Sequence, residues 1–252
     1  DPENRYLVHN ANMPLPEFLK DFEFRGIIFT HSFFSLMHSR RTFARLSEEW
    51  SWLNSCDVKK VALPQDDYMC SENRDWWYTS MAMDAVFPVC PQDSWERLIP
   101  RYLKSGGLAK RGYTAYLTPR LREKFTEWIA PLDRRWDIVY RTLGKPRIPD
   151  LVGQVKYEIA DNIPPVAASI GLRVDISNQI ADSKSGSDWL RFLGDARSAL
   201  GSPSGSSVRI RNHHVLEAVS AEPKSDVAWL VDSGLLTEED CNYRYTALSP
   251  RN

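Results

Sequence analysis

The stretch WLRFLGDARSALGSPSGSS, from Trp189 to Ser207, joins a helix pattern, a short strand pattern and a loop of small residues. Its first part has apolar side chains at helical spacing, and RSAL then predicts a strand. The chain leaves this strand through glycines and serines with one proline. Open parallel sheets bind ligands beyond the carboxyl ends of their strands, so the loop is a candidate anion site. A plain surface loop has the same composition, and that alternative stays open.

The sequence on both sides of this stretch alternates between short apolar runs and longer amphipathic ones. The predicted strands are GIIF, KKVALP, DAVFPV and RGYTAYL, followed by WDIVY, LRVDIS and RSAL. The predicted helices are 41–53, 95–104, 151–170 and 189–196. Two prolines, Pro164 and Pro165, are expected to end or kink the third helix, and Ser187 or Asp188 to cap the fourth. This alternation is typical of α/β domains with parallel sheets.

The pattern breaks once, around KFTEWIAPLDRRW, where Pro131 and a cluster of charges interrupt it. A new series of strands and helices begins directly afterwards. The sequence therefore predicts two Rossmann-like domains with parallel sheets, residues 1–131 and residues 132–252.

Composition narrows the class of protein. The 252 residues are 42% hydrophobic and 26% charged, and the formal net charge is -1, without the strongly basic balance of a general nucleic-acid binder. No apolar run approaches the roughly 18 residues of a membrane-spanning helix. The four cysteines form no CxxC pair, and the opening DPENRYLVHN lacks the features of a signal peptide. We expect a cytoplasmic protein with free thiols.

Polar residues follow the first two predicted strands. His31 comes directly after GIIF, and Asp66 and Asp67 come after KKVALP. Because adjacent parallel strands end at one edge of a sheet, we expect these groups on a common rim. An imidazole can act as general base toward a hydroxyl, and a carboxylate can orient it or bind sugar hydroxyls. A structural histidine and a solvated acidic turn are the alternatives.

Cations follow the first strand of the second series. Arg141 ends WDIVYR, and Arg147 lies six residues beyond it. Guanidinium groups at a strand end suit a diphosphate, because they donate two parallel charge-assisted hydrogen bonds. A solvated basic loop is the alternative. The pair His213 and His214 has no further ligand at a useful spacing, so no metal site is predicted.

Several motifs in order along the chain resemble one family. HSFF, PQDDY, WDIVYR, KYEIA, GLRVDIS, SDWLRFLGDARSALG, SGSS and YTALSPR together resemble bacterial glycosyltransferases of the two-Rossmann-domain (GT-B) type, in particular the surface-polysaccharide group related to CgeB-like proteins. The likeness spans residues 26–251.

The resemblance implies a metal-independent transferase without a cofactor, which moves a sugar from a nucleotide-sugar donor to a polysaccharide or other glycoconjugate acceptor. His31, Asp66 and Asp67 become the catalytic or acceptor-side candidates. Arg141, Arg147 and the loop Ser204, Gly205, Ser206 and Ser207 become the candidates for the donor diphosphate. Direct displacement needs stabilisation of the leaving charge, which arginine and backbone N–H groups can supply.

The sequence departs from the family pattern in two places. Pro203 lies where relatives have an acidic residue, and the chain stops at SPRN where a glutamate-bearing helix and further βα units are expected. We therefore expect an incomplete second domain, with its open edge covered by another chain or by residues beyond this sequence. A homo-oligomer and peripheral association with a membrane are the further partners expected. A non-catalytic binding or assembly module is the main alternative. A nucleotide-dependent epimerase or reductase is weaker, because no GxGxxG follows a predicted strand.

Overall fold

The computed structural model describes residues 5–113, 118–129, 133–142, 151–202, 205–221 and 228–242. The chain divides into two compact units. The first comprises Asp1–Thr114 together with Arg209–Ala218, and the second comprises Ala115–Val208 together with Val219–Asn252. A late segment of the chain therefore groups with the first unit. The domain boundary that the sequence places after residue 131 stays a prediction.

The first unit is a parallel sheet with helices between its strands. Its strands run in the order β1-β2-β3-β4, so each new strand is added on the same side. The elements are β1 (Gly26–Phe29), α1 (His31–Leu36), α2 (Arg40–Glu49), β2 (Lys59–Ala62), α3 (Ser71–Ser80), β3 (Ala85–Val86), α4 (Trp95–Leu98), α5 (Pro100–Lys104) and β4 (Leu108–Ala109). Short 3-10 turns lie at Glu17–Asp21, Ser51–Ser55 and Gln92–Ser94.

Aromatic side chains form the core against one face of this sheet. Phe29 of β1 packs edge-on against Trp50 and Trp77, with ring centroids 5.2 and 4.9 Å apart. Phe33 and Phe34 of α1 extend the same cluster. Contacts of this type stabilise a core beyond simple burial of apolar area.

The opposite face of the first sheet is less covered. The strand register places Ile28, Val61, Ala85 and Leu108 in one row across the sheet. At the two ends of the row, Ile28 is 56% and Leu108 is 49% exposed. Parallel sheets usually carry helices on both faces, so this row is an unusual apolar surface.

The strands predicted at GIIF, KKVALP and DAVFPV are confirmed. The fourth strand, predicted at RGYTAYL, lies instead at Leu108–Ala109, and residues 114–117 fall outside the described ranges. Hydrogen bonds continue from Lys110 N to Val86 O and from Gly112 N to Pro88 O. The ladder with β3 stops there because Pro88 has no N–H to donate in return.

The second unit contains a smaller parallel sheet. Its strand order is β6-β5-β7, with β5 in the centre. The elements are α6 (Pro119–Ile129), β5 (Trp136–Arg141), α7 (Leu151–Ser169), β6 (Val174–Ser177), α8 (Gly186–Gly194), β7 (Ala196–Ala199), α9 (His213–Ala221), α10 (Ala228–Asp232) and α11 (Glu238–Asn242). The first six residues of α9 belong to the first unit. Val139, Phe192 and Ala196 form a buried cluster, with Trp136, Trp189 and Leu193 packed against it.

The predicted strands WDIVY, LRVDIS and RSAL are confirmed, and so is the α/β class with parallel sheets. The helix α7 continues through Pro164 and Pro165 to Ser169, so these prolines do not end the helix, and a kink there stays a prediction. The predicted cap of the next helix is wrong. The helix α8 begins at Gly186, and the residue that precedes it, Ser185, makes no side-chain capping hydrogen bond. Gly186 has a φ of 55°, a left-handed conformation that glycine adopts without strain, and Ser187 and Asp188 therefore lie inside the first turn and not before it.

Candidate functional site

The strand order of the second sheet creates a topological switch point. The chain passes from the central β5 to β6 on one side, and then from β6 to β7 on the other side. The strand order therefore reverses between the neighbouring strands β5 and β7. A crevice at such a point is where open α/β sheets bind their ligands. The first sheet, with strands in sequential order, has no reversal of this kind among its described strands.

The segment after β7 contains the small residues GSPSGSS, at positions 201–207. Leu200 N donates to Val139 O at 3.0 Å and ties the start of the loop to the central strand. Further along, Gly205 has a φ of 104°, which suits only glycine, and Ser206 and Ser207 are buried. The Ser206 hydroxyl donates to Val208 O and accepts from Val208 N, so it stabilises the turn itself. Ser204 lies outside the described residues.

The helix after this loop begins too far along the chain for its N-terminus to bind an anion that the loop holds. The first residue of α9 is His213, six residues beyond Ser207. Its first turn is capped by Asn212, whose side-chain oxygen accepts from Val215 N at 3.2 Å. The start of α9 therefore does not supply the donors for an anion held by this loop.

Arg141, the last residue of β5, has a guanidinium that is largely occupied by protein acceptors. Its Nε donates to Asp182 O at 3.1 Å, and its Nη1 donates to Tyr140 O and Asp175 O. Its Nη2 donates to the Asp175 carboxylate. The guanidinium also lies over the Phe192 ring, 4.5 Å from its centroid, and only 9% of the side chain is exposed. Arg141 thus joins β5 to β6 and to the segment after β6. Arg147 lies outside the described residues.

The structure places the candidates of the first unit in different surroundings. His31 opens α1 and is exposed, and its ring nitrogen Nε2 lies 3.4 Å from Ser32 Oγ. Asp66 is half-buried, has a φ of 55° and accepts a hydrogen bond from Tyr68 Oη at 3.0 Å. Across the described ranges, no hydrogen bond or ion pair joins His31 to Asp66 or to Asp67. Both strand ends lie on one edge of the sheet, as the parallel register requires.

Asp67 has a different role from its neighbour. Its side chain is buried, and one carboxylate oxygen accepts from Val89 N at 2.7 Å and from Cys90 N at 3.0 Å. Burial raises the pKa of this carboxyl group above its ordinary value, while the two backbone N–H groups and the charge of Arg74 oppose the rise. Asp67 therefore holds the loop after β2 to the loop after β3, with its carboxylate turned into the protein.

Sequence reasoning missed a buried cation of the first unit, Arg74. Arg74 on α3 is 1% exposed, and its guanidinium donates to Gln65 O at 2.7 Å and to Asp66 O at 2.9 Å. It also contacts His38 Nε2 at 2.8 Å. Because arginine can only donate, His38 Nε2 is the acceptor and its ring proton lies on Nδ1. A charged residue in a helix sequence gives no sign that its side chain points inward.

The comparisons with known proteins add no relative. No protein-family model, no curated protein and no solved structure matches the chain significantly. Among the described residues, no group of three or more His, Cys, Asp or Glu side chains is placed to hold a metal ion. The helices within the described ranges include none with the length and apolar character needed to cross a membrane.

Proposed function

We propose that the protein is a glycosyltransferase of the GT-B type, which transfers a sugar from a nucleotide-sugar donor to a polysaccharide or other glycoconjugate acceptor. The observation that supports the donor site is the strand order β6-β5-β7, because it creates a switch point beside the small-residue loop. The donor diphosphate would lie at the carboxyl ends of β5 and β7.

The proposed chemistry at this crevice depends on backbone N–H donors beside Gly205 and on the cation Arg147. Gly205 has no Cβ, so an oxyanion can approach the neighbouring N–H groups closely. These donors stabilise the negative charge that develops on the leaving nucleoside diphosphate. Arg147, six positions after β5 in the sequence, is the cation proposed to pair with the same phosphates. Arg141 acts as a positioning residue, since its guanidinium fixes the end of β5 against the segment after β6.

The acceptor side is proposed on the first unit. His31 is exposed at the carboxyl end of β1, where an imidazole can accept the proton of an attacking hydroxyl. Asp66 is the carboxylate proposed to bind sugar hydroxyls, because its side chain is only half-buried. Asp67 is assigned a structural role on account of its burial and its two backbone hydrogen bonds.

A thermal-shift titration with UDP, GDP, dTDP and CMP sugars tests the donor site. Specific binding by one nucleotide class raises the melting temperature, by several degrees at a ligand concentration of about 100 Kd. Arg147→Ala is expected to weaken this shift. Arg197→Ala is the matched control, because Arg197 is exposed and pairs with Asp137 toward the other end of the same sheet. Absence of any shift from a folded sample would refute the proposal.

A non-catalytic binding module is the second candidate. The observation that favours it is the separation of His31 from a carboxylate partner among the described residues, since a general base usually has an orienting group. This candidate predicts saturable nucleotide-sugar binding without release of the nucleoside diphosphate. A coupled assay of diphosphate release, with a panel of glycan acceptors, distinguishes the two.

A further inference from the structure

The segment Arg209–Ala218, here called the strap, belongs to the first unit and is bound to the rest of that unit, residues 1–114, at its two ends. At one end it runs beside the start of α3: Ile210 N donates to Tyr68 O at 2.9 Å, and Glu72 N donates to Arg211 O at 2.8 Å. Ser71 N donates to Ile210 O at 3.2 Å. The strap thus supplies acceptors for N–H groups that the first turn of a helix leaves unpaired.

At its other end the strap contacts the segment between α1 and α2. The His213 ring is buried, and its Nε2 donates to Met37 O at 2.7 Å. Glu217 accepts two hydrogen bonds from the Arg40 guanidinium, at 2.9 and 2.8 Å. The residue that follows Met37 is His38, the acceptor of the buried Arg74. Docking of the strap and the hydrogen bond of His38 therefore depend on one short piece of backbone.

The surroundings of His38 favour its neutral ring. The charged and titratable groups that face it are Arg74, from α3, and His213, from the strap. Its Nε2 accepts a hydrogen bond from Arg74 Nη2 at 2.8 Å. A proton on Nε2 would therefore displace the guanidinium, because the nitrogen could no longer accept. Asp67 is the anion that interacts with Arg74, and its carboxylate is held by backbone N–H groups.

We propose that His38 is an acid-sensitive clasp, whose protonation at Nε2 breaks its hydrogen bond with Arg74 and releases the strap from the rest of the first unit. The proton comes from solvent and stays on the imidazole, and no covalent bond changes. The imidazolium of His38 and the guanidinium of Arg74 then repel each other, so residues 37 and 38 move away from Arg74, and the Met37 carbonyl moves away from His213. The N-terminus of α3 loses the carbonyl groups of the strap in the same event.

The pKa of His38 is consistent with release of the strap at low pH. Burial and the nearby Arg74 and His213 lower the pKa of His38 to about 4, from an ordinary value of 6.5. In the released state the ring is solvated and regains its ordinary pKa. The released fraction therefore grows by about tenfold for each pH unit that the solution falls below 6.5, until the pH approaches 4.

Amide hydrogen exchange tests the proposal on the whole chain. The amides of Ile210 and Glu72 report on docking of the strap, and the amide of Met81, which donates to Trp77 O, reports on the rest of α3. After correction for intrinsic rates, exchange at the two docking amides is expected to accelerate about tenfold per pH unit between pH 6.5 and 4.5, and these amides are expected to be less protected than Met81 throughout this range. Equal protection at all three amides would indicate that they exchange only through general unfolding and would overturn the proposal.

Two variants isolate the clasp. His38→Gln keeps an acceptor for Arg74 but cannot titrate, so its docking amides are expected to show no acceleration in this pH range. His214→Gln removes an exposed histidine of the strap and is expected to behave like the parent protein. Should His38→Gln fail to fold, NMR of the imidazole nitrogens in the parent protein decides. A ring that titrates near pH 6.5, or that carries its proton on Nε2 at neutral pH, would overturn the proposal.

Discussion

Replacement of Arg141 by methionine distinguishes a structural guanidinium from one that binds ligand. Arg141→Met keeps an apolar stem beside Phe192 and removes the donors to Asp182 O, Tyr140 O and Asp175. We expect unfolding of the second unit to become easier in the absence of any ligand. Arg141→Met should leave the stability of the first unit unchanged, because the groups that Arg141 contacts belong to the second unit.

The magnitude follows from the partners that are left behind. Breaking a buried ion pair usually costs about 3–5 kcal/mol, because one charge remains buried without its partner. The Arg141 side chain is 9% exposed, but that of Asp175 is 28% exposed and keeps part of its hydration. We therefore expect the lower end of the range, about 3 kcal/mol. Asp175→Asn is the partner variant, and the double variant should cost less than the sum of the two single ones.

Native-state hydrogen exchange measures this cost separately for each unit. Peptides that cover β5 should exchange faster in Arg141→Met by on the order of 100-fold, since each 1.36 kcal/mol corresponds to a factor of ten. Peptides that cover β2 are the internal control. An acceleration of less than about fivefold in β5, together with loss of the nucleotide-dependent thermal shift, would refute a structural role and assign the guanidinium to the ligand.

Further predictions concern the first unit. Gly112→Ala should destabilise it by about 1–3 kcal/mol in urea unfolding, because a Cβ there would lie 2.4 Å from Phe87 O. Asp67→Ala should cost about 2–4 kcal/mol in the same assay, because two buried backbone N–H groups lose their acceptor. The free energy of unfolding, measured against pH, should fall by at most about 3 kcal/mol between pH 6.5 and 4, since burial beside Arg74 lowers the pKa of folded His38 to about 4.

Each of these predictions has a matched control. Lys110→Ala, at a neighbouring exposed position, should change stability little, and an equal loss would argue against the steric explanation for Gly112. Asp67→Asn keeps an acceptor oxygen without a buried charge and should cost less than Asp67→Ala. His38 contributes stability above pH 6.5 that is lost on acidification, so His38→Gln should remove this loss. A variant with the parent's pH dependence would contradict the assignment.

The periodicity of the sequence was sufficient for the fold class and for most strand positions. GIIF, WDIVY and LRVDIS are recognisable because burial of a parallel strand requires a short apolar run, which is a local property. The fourth strand was misplaced because its end depends on Pro88, which belongs to another strand's loop. Strand order is not a local property either, so the switch point beside Gly205 became visible only in the assembled sheet.

The candidate site shows the same division between local and long-range information. The sequence by itself determined which polar residues follow which strands, and it placed His31, Asp66 and Arg141 at strand ends. Only the tertiary structure decided what each group contacts. His213 bonds to a carbonyl 176 positions earlier in the chain, and Arg209 to a serine 138 positions earlier. Buried donors are almost always paired with an acceptor. When the acceptor lies so far away in the sequence, its identity depends on how the whole chain packs, and the sequence near the donor does not reveal it.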